Sequence, residues 1–164
     1  MIELSVYSVL YSLLSRYRVV LLKEVREERY LPIWIGMYES EAIAIKLQGA
    51  KVPRPLTHDL LANVITELDG ALQYVVVNDL TEHTFFARLA VERDGDLVMI
   101  DSRPSDAIAL AVRTSVPIYA DESVLDKAGI YPSPEIREAK PVPEDDGLGV
   151  FGEFLESIDP DDQE

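Results

Sequence analysis

The 164-residue sequence predicts a mixed α+β (α/β) fold: one compact domain with a mixed, largely antiparallel sheet flanked by helices, followed by an acidic C-terminal tail. Three observations predict it. Strand-like stretches, with period-two or β-branched patterning, alternate with stretches whose apolar residues recur at helical spacing. Asp94-Gly95, between two strand-like runs, is a hairpin signal and makes part of the sheet antiparallel. The length suits one domain with a full core and leaves little room for a second.

Residues 2–6 alternate Ile2, Leu4 and Val6 with Glu3 and Ser5, as a half-buried strand does. Residues 18–25 are β-branched and apolar. The charged patch Arg26-Glu27-Glu28-Arg29 reads as a turn before a third strand, 31–35, ended by Gly36. Residues 37–47 become helical, with Ala42, Ile43, Ile45 and Leu47 apolar and Gly49 as the stop. Pro53-Arg54-Pro55 forces an extended loop, since a residue before proline is pushed out of the helical region. Thr57 then suits an N-cap for a helix to about Leu68, with Leu60, Leu61, Val64, Ile65 and Leu68 as its apolar stripe.

Strands follow at 72–79, 84–92 and 96–101. The helix expected over 104–113 is apolar almost all round, which predicts burial on most faces or cover by another subunit. A short strand at 117–119 and a short helix at 122–128, stopped by Gly129, complete the body. There is one internal echo. Ser40-Glu41-Ala42-Ile43-Ala44-Ile45 follows one strand, and Ser105-Asp106-Ala107-Ile108-Ala109-Leu110 follows another 65 residues later. It suggests a repeated strand–loop–helix unit; chance is the rival, because Ala and Ile are common in buried helices.

The domain is expected over 1–131 and the tail over 132–164. Residues 135–164 hold 11 acidic against 2 basic residues, whereas 1–134 hold 19 against 13, so most of the formal charge of −15 sits in the tail. Pro132, Pro134, Pro141 and Pro143 with Glu144-Asp145-Asp146-Gly147 describe a linker or disordered segment. Within it Phe151, Phe154, Leu155 and Ile158 have the spacing of a short amphipathic helix over 151–158.

Such acidity argues against a protein that coats nucleic acid in bulk, since phosphate contacts dominate that affinity. The absence of cysteine excludes disulfides, thiolate metal sites and cysteine nucleophiles, and suits a reducing cytoplasm. No basic region precedes the first apolar stretch, and no apolar run is long enough to span a bilayer, so neither a signal peptide nor a membrane partner is expected. The phosphate-loop, dinucleotide-fingerprint, nucleophile-elbow and His-Glu-x-x-His motifs are missing.

Two strand- or loop-to-helix junctions could carry chemistry. In Asp101-Ser102-Arg103-Pro104-Ser105-Asp106 the helix start offers free N–H groups to an anion, Ser105 among them. There Arg103 could fork a phosphate, and Asp101 with Asp106 could hold a hard divalent cation. A plainer reading makes Pro104 and Asp106 ordinary helix starters, with Arg103 pairing to Asp101 or Asp106. In Pro53-Arg54-Pro55-Leu56-Thr57-His58-Asp59, a histidine that can move protons near neutral pH stands beside a carboxylate at a helix start, after an arginine held between prolines. The plainer reading there is an exposed first-turn histidine. His83 reads as a turn residue.

These stretches, with Leu31-Pro32-Ile33-Trp34-Ile35-Gly36, resemble the bifunctional nuclease (BFN) domain family. Residues 37–47 and Glu122-Ser123-Val124-Leu125 fit it too, so the resemblance covers about 1–130. In being a bare domain with a tail, the chain resembles the bacterial members. The resemblance implies a compact mixed α/β domain and, from the plant members, cleavage of RNA and DNA. Assigned onto the matching motifs, His58, Asp59, Asp101 and Asp106 are expected to be catalytic. Arg54, Arg103 and Ser105 are expected to bind phosphate, and Asp101 with Asp106 to hold a divalent metal such as Mg or Mn. All five charged residues Arg54, His58, Asp101, Arg103 and Asp106 are expected in one cleft. The alternative is a non-catalytic oligomeric regulatory or binding protein of the same fold. A homo-oligomer, with a dimer favoured, is expected from the apolar helix and the Trp34 strand.

Overall fold

In the computed structural model, residues 1–11 and 17–132 are described; the acidic segment and its apolar stripe at Phe151, Phe154, Leu155 and Ile158 lie outside them. Three strands come first: β1 (Ile2–Tyr11), β2 (Arg18–Glu24) and β3 (Tyr30–Ile35). Helices α1 (Met37–Leu47) and α2 (Thr57–Glu67) follow, then β4 (Gly70–Thr81), β5 (Thr84–Arg93) and β6 (Asp96–Ser102). Helix α3 (Pro104–Thr114), β7 (Ile118–Ala120) and α4 (Glu122–Ala128) complete the order. The strands make one sheet in the order β3-β2-β1-β7-β4-β5-β6. It is mixed and largely antiparallel: every pairing is antiparallel except β4 with β7.

Two antiparallel meanders, β1-β2-β3 and β4-β5-β6, therefore flank the three-residue β7, and each is followed by a helix. The 65-residue echo falls on those two helices, α1 and α3. Both hairpin turns of the second meander need left-handed backbone. Glu82 and His83 have φ of 48° and 61°, and Asp94 and Gly95 have 54° and 85°. His83 is thus the turn residue the sequence suggested.

Alternation along the strands separates two faces. On one, Val20 and Leu22 of β2, Val75 and Val77 of β4, and Ala87, Leu89 and Val91 of β5 pack with Ile43 of α1, Ala107 to Ala111 of α3, and Val124 and Leu125 of α4. On the other, Val19 and Leu21 of β2 cluster with Leu10 and Tyr30. Helix α3 is buried by its own domain, so it supplies no reason for a partner subunit. Gly70, which opens β4, lies between Ile65 of α2 and Val91 of β5: a Cβ there would sit 3.2 Å and 3.1 Å from their methyl carbons.

Most boundaries lie within two residues of expectation, and two differences have a local cause. Helix α2 takes Thr57 as its first residue, and Leu56 is the cap; the capping carboxylate is Asp59, whose Oδ2 accepts the Leu56 N–H at 2.8 Å. β1 runs on to Tyr11, past a bulge between Val6 and Ser8, because its second half pairs with β2.

One charged cluster ties α4 to the first meander. The Arg29 guanidinium donates to Glu24 Oε2 at 2.9 Å and to Glu122 Oε1 at 3.0 Å. Burial opposes its charge, but these carboxylates more than offset it, and the guanidinium is held more firmly protonated than usual. Glu24 is 5% and Arg29 8% exposed. Removing Glu24 leaves the buried end of the guanidinium, Nε, without its carboxylate, with Glu122 and Asp126 holding only the solvent end. Glu24→Ala is therefore expected to lower unfolding stability by about 3 kcal/mol or more. Glu122→Ala, at the solvent end, should cost under about 1 kcal/mol; urea denaturation of the two variants measures both.

Candidate functional site

Proline at the first position of α3 holds Arg103, the cap residue, in extended backbone (φ −68°, ψ 145°). From there its side chain turns onto the first helical turn. Arg103 Nε donates to Asp106 Oδ2 at 2.7 Å and Nη2 donates to Oδ1 at 3.1 Å, a two-pronged fork on one carboxylate. The extended loop through Pro55 sets the start of α2 beside it. His58 Nε2 lies 2.9 Å from the same Asp106 Oδ1. Next to it, Asp59 Oδ1 accepts from Arg113 Nε of α3 at 2.7 Å, and Arg113 Nη1 donates to the Ala109 carbonyl at 2.8 Å.

A third helix start completes the cluster. Glu39, in the first turn of α1, places Oε1 at 2.8 Å from Arg103 Nη1. Gly36, the cap of α1, leaves room for that carboxylate, because a Cβ there would collide with Glu39 Oε2. The first turns of α1, α2 and α3 thus meet in one chain of contacts, Glu39 to Arg103 to Asp106 to His58. Each first turn carries an acid, as the positive end of a helix dipole favours.

Burial pushes the Asp106 carboxyl up. Hydrogen bonds and charge from Arg103 and His58 outweigh that and hold it below its ordinary value. Asp59 behaves alike: burial raises it, but the Leu56 N–H and Arg113 bring it lower. Arg103 is held more firmly protonated by its bond to Asp106. An ionised Asp106 can only accept, so Nε2 of His58 carries the proton toward it. In the neutral ring the basic lone pair is then on Nδ1.

The sequence-derived candidates separate accordingly. His58, Asp59, Arg103 and Asp106 come together, and Ser105 is buried in the same first turn of α3. Arg54 is exposed in the loop before α2, without an ion pair to any described residue. Asp101 does not join them. It pairs with Arg88, which alternates with the core residues Ala87 and Leu89, so it faces the sheet side away from the helices. There it lines a depression of about 250 Å³ with Asn78, Asp79, Phe86 and Arg88. The single cleft expected for all five charged residues is not what the fold builds. An ion shared by Asp101 and Asp106 finds no support in this geometry. Among the described residues no group of three or more His, Asp or Glu side chains is set to hold a metal.

Two members of the network were not singled out from the sequence. Glu39 lay inside a predicted helix and Arg113 at the end of another; the 65-residue echo was the signal that their helices are counterparts. The network spans Glu39 to Arg113, and the model of the bifunctional nuclease domain family matches residues 20–133. The chain belongs to the bifunctional nuclease domain family. An uncharacterized protein of Mycobacterium tuberculosis (strain H37Rv) is 46% identical over 145 residues, 88% of this chain and 87% of that one. Bifunctional nuclease 2 of Oryza sativa subsp. japonica is 29% identical over 133 residues, 79% of this chain but 41% of the rice protein. Bifunctional nuclease 2 of Arabidopsis thaliana is 27% identical over 121 residues, 72% of this chain and 37% of its own length. The chain therefore spans about two fifths of the plant proteins it matches. No helix among the described residues is long and apolar enough to cross a membrane.

The depressed carboxyls fix the direction of a pH effect. A carboxyl whose folded pKa lies below its unfolded value, near 4, contributes stability that is complete above that unfolded value. That stability is lost as pH falls through the lower folded pKa. The melting temperature is thus expected to drop as pH is lowered below about 4. Asp106→Asn should be less stable at neutral pH yet show a flatter acid limb in melts between pH 7 and 2.

Proposed function

We propose that this chain hydrolyses phosphodiester bonds of RNA, DNA or both where the three helix starts meet. The observation that carries the reading is the 2.9 Å contact of His58 with Asp106, on the carboxylate that Arg103 also grips, inside the family-matched region. Asp106 orients the imidazole and supports a positive charge on it, the role a carboxylate has toward histidine in hydrolytic triads. His58 Nδ1 then accepts the proton of the attacking water oxygen, and solvent protonates the leaving oxygen on the far side of the phosphorus.

The Arg103 guanidinium supplies the charge for the phosphate. It is 65% exposed, and one of its prongs is held only by Glu39; an incoming phosphodiester takes Glu39's place on it. Arg54, exposed just before α2, is a second cation for the backbone of the substrate. The N–H groups of the α3 first turn, at Ser105, face the same junction. Asp59 acts through Arg113, as a positioning residue that locks α2 against α3.

A second reading has its own observation. His58 is 9% exposed, and Arg103 donates from all three of its nitrogens to Glu39 and Asp106. The same network would serve a non-catalytic regulatory or binding protein as a bolt between helices. Cleavage of short labelled single-stranded RNA and DNA, with EDTA and with Mg or Mn, separates the two. The catalytic reading expects His58→Ala to lower kcat by about 10²–10⁴-fold with the circular dichroism spectrum kept, and Arg103→Ala to raise KM as well. A folded wild-type chain that cleaves neither substrate under any of these conditions assigns the network to the binding reading.

A further inference from the structure

The seven-stranded sheet has two edges, and the fold treats them differently. At the β3 edge Tyr30 exchanges backbone hydrogen bonds with Ile130, donating at 2.8 Å and accepting at 2.8 Å, and Pro32 interrupts the free donors beyond it. The β6 edge has no proline, no lysine and no bulge, the devices that usually keep an edge single. Four consecutive apolar residues, Leu97, Val98, Met99 and Ile100, lie along it, each 37–51% exposed. A run of that kind is a fault in a solitary domain unless it serves a purpose.

Helix α2 extends this surface. His58 and Asp59 turn toward α3, and Ile65 toward Val91 of β5, whose cross-strand neighbour is Val98. Leu60, Leu61, Val64 and Leu68, at i, i+1, i+4 and i+8, form an adjoining stripe and are all exposed. They add four exposed apolar residues to the four of β6, the kind of side chain that the core of an interface between copies buries.

We propose that β6 pairs antiparallel with β6 of a second copy of this chain, about a two-fold axis through Met99, with the two α2 helices closing over the seam. The strand is self-complementary in that register. Met99 is the middle of the seven residues Asp96–Ser102, so the axis pairs the whole strand with itself. Val98 falls opposite the partner's Ile100 on the helix side, where β6 joins Leu89 and Val91. Asp101 falls opposite the partner's Leu97 and Asp96 opposite the partner's Ser102, so no like charges face one another directly. An axis perpendicular to the sheet keeps the helices of both copies on one side, which brings the exposed leucines of α2 together. The pairing gives partners to the outer backbone groups of β6, which have none among the described residues. It stands apart from the hydrolytic reading, since none of these residues belongs to the His58 network.

The chain has no cysteine, which makes the register directly testable on the full-length protein. Sedimentation at tens of micromolar should give a dimer. Val98→Lys, which puts a charge on an exposed position, should weaken it by on the order of 100-fold, with the melting curve of the diluted protein unchanged. Met99→Cys should form an intermolecular disulfide under mild oxidation, because the two residues face each other at the axis. Leu97→Cys should not, because the two copies then stand roughly 13 Å apart along the seam. A monomeric wild type, a dimer indifferent to Val98→Lys, or equal cross-linking at 97 and 99 would each overturn the pairing. So would a monomer whose hydrodynamic radius grows on Val98→Lys, which would give the strand to the chain's own C-terminal segment.

Discussion

The Asp106 carboxylate is held from two distant parts of the chain, and the helical layer is arranged around it. One oxygen takes the His58 imidazole and an Arg103 nitrogen, and the other takes Arg103 Nε. A carboxylate in that partly enclosed position must be paired, because desolvating an unpaired charge costs several kcal/mol. Satisfying it sideways has a packing consequence. The first turn of α3 needs no water from below, so Ala107 to Ala111 can sink fully into the core against β4 and β5. The same carboxylate fixes where α2 starts, and through Arg103 and Glu39 where α1 starts. Charge pairing and packing here share one constraint.

The two meanders give that constraint its setting. Each consists of three antiparallel strands followed by a helix, and the two are arranged about β7 with β3 and β6 outermost. Helices α1 and α3, which carry the sequence echo, meet through the contact of Glu39 with Arg103. Ser40 and Ser105 are both buried, and Ser40 spends its hydroxyl on the Met37 carbonyl within its own helix at 2.7 Å. The units are not copies, however. Helix α1 starts three residues before its serine and α3 one residue before, and only α3 has a proline start.

Local chemistry made much of this legible. Pro104, Gly49, Asp94-Gly95 and the residues before Pro55 act within a few positions of themselves, so the helix bounds and the second hairpin could be read directly. The pairing of Arg103 with Asp106 is also local, at three residues apart, and the plainer of the two sequence readings contained it. The contact of His58 with Asp106 spans 48 residues and could only be expected from both motifs opening helices. Asp101 failed for a different reason. A residue at the end of a strand faces one side of the sheet or the other according to register, and one position shifts it from the helix side to the opposite face. Glu39 was invisible because an acid in a first helical turn is ordinary; only its room beside Gly36 sets it apart. The exposed stripe of α2 misled most simply. Apolar periodicity predicts a buried face, but Leu60, Leu61, Val64 and Leu68 are exposed and only Ile65 of that stripe packs on the core.

The three residues of β7 have a consequence for the order of events during synthesis. Among the described residues they are the only strand that joins the meanders within the sheet, pairing with Ile2 to Leu4 on one side and Val75 to Val77 on the other. Each meander is made of neighbouring strands and closes through short loops, whereas the seam links residue 2 to residue 120. Loop closure of that span is slow relative to hairpin formation. A ribosome adding roughly 5–20 residues per second delivers β1 seconds before β7 exists. Through that interval the first strand has one finished neighbour and one open side, an exposed edge that β7 later covers.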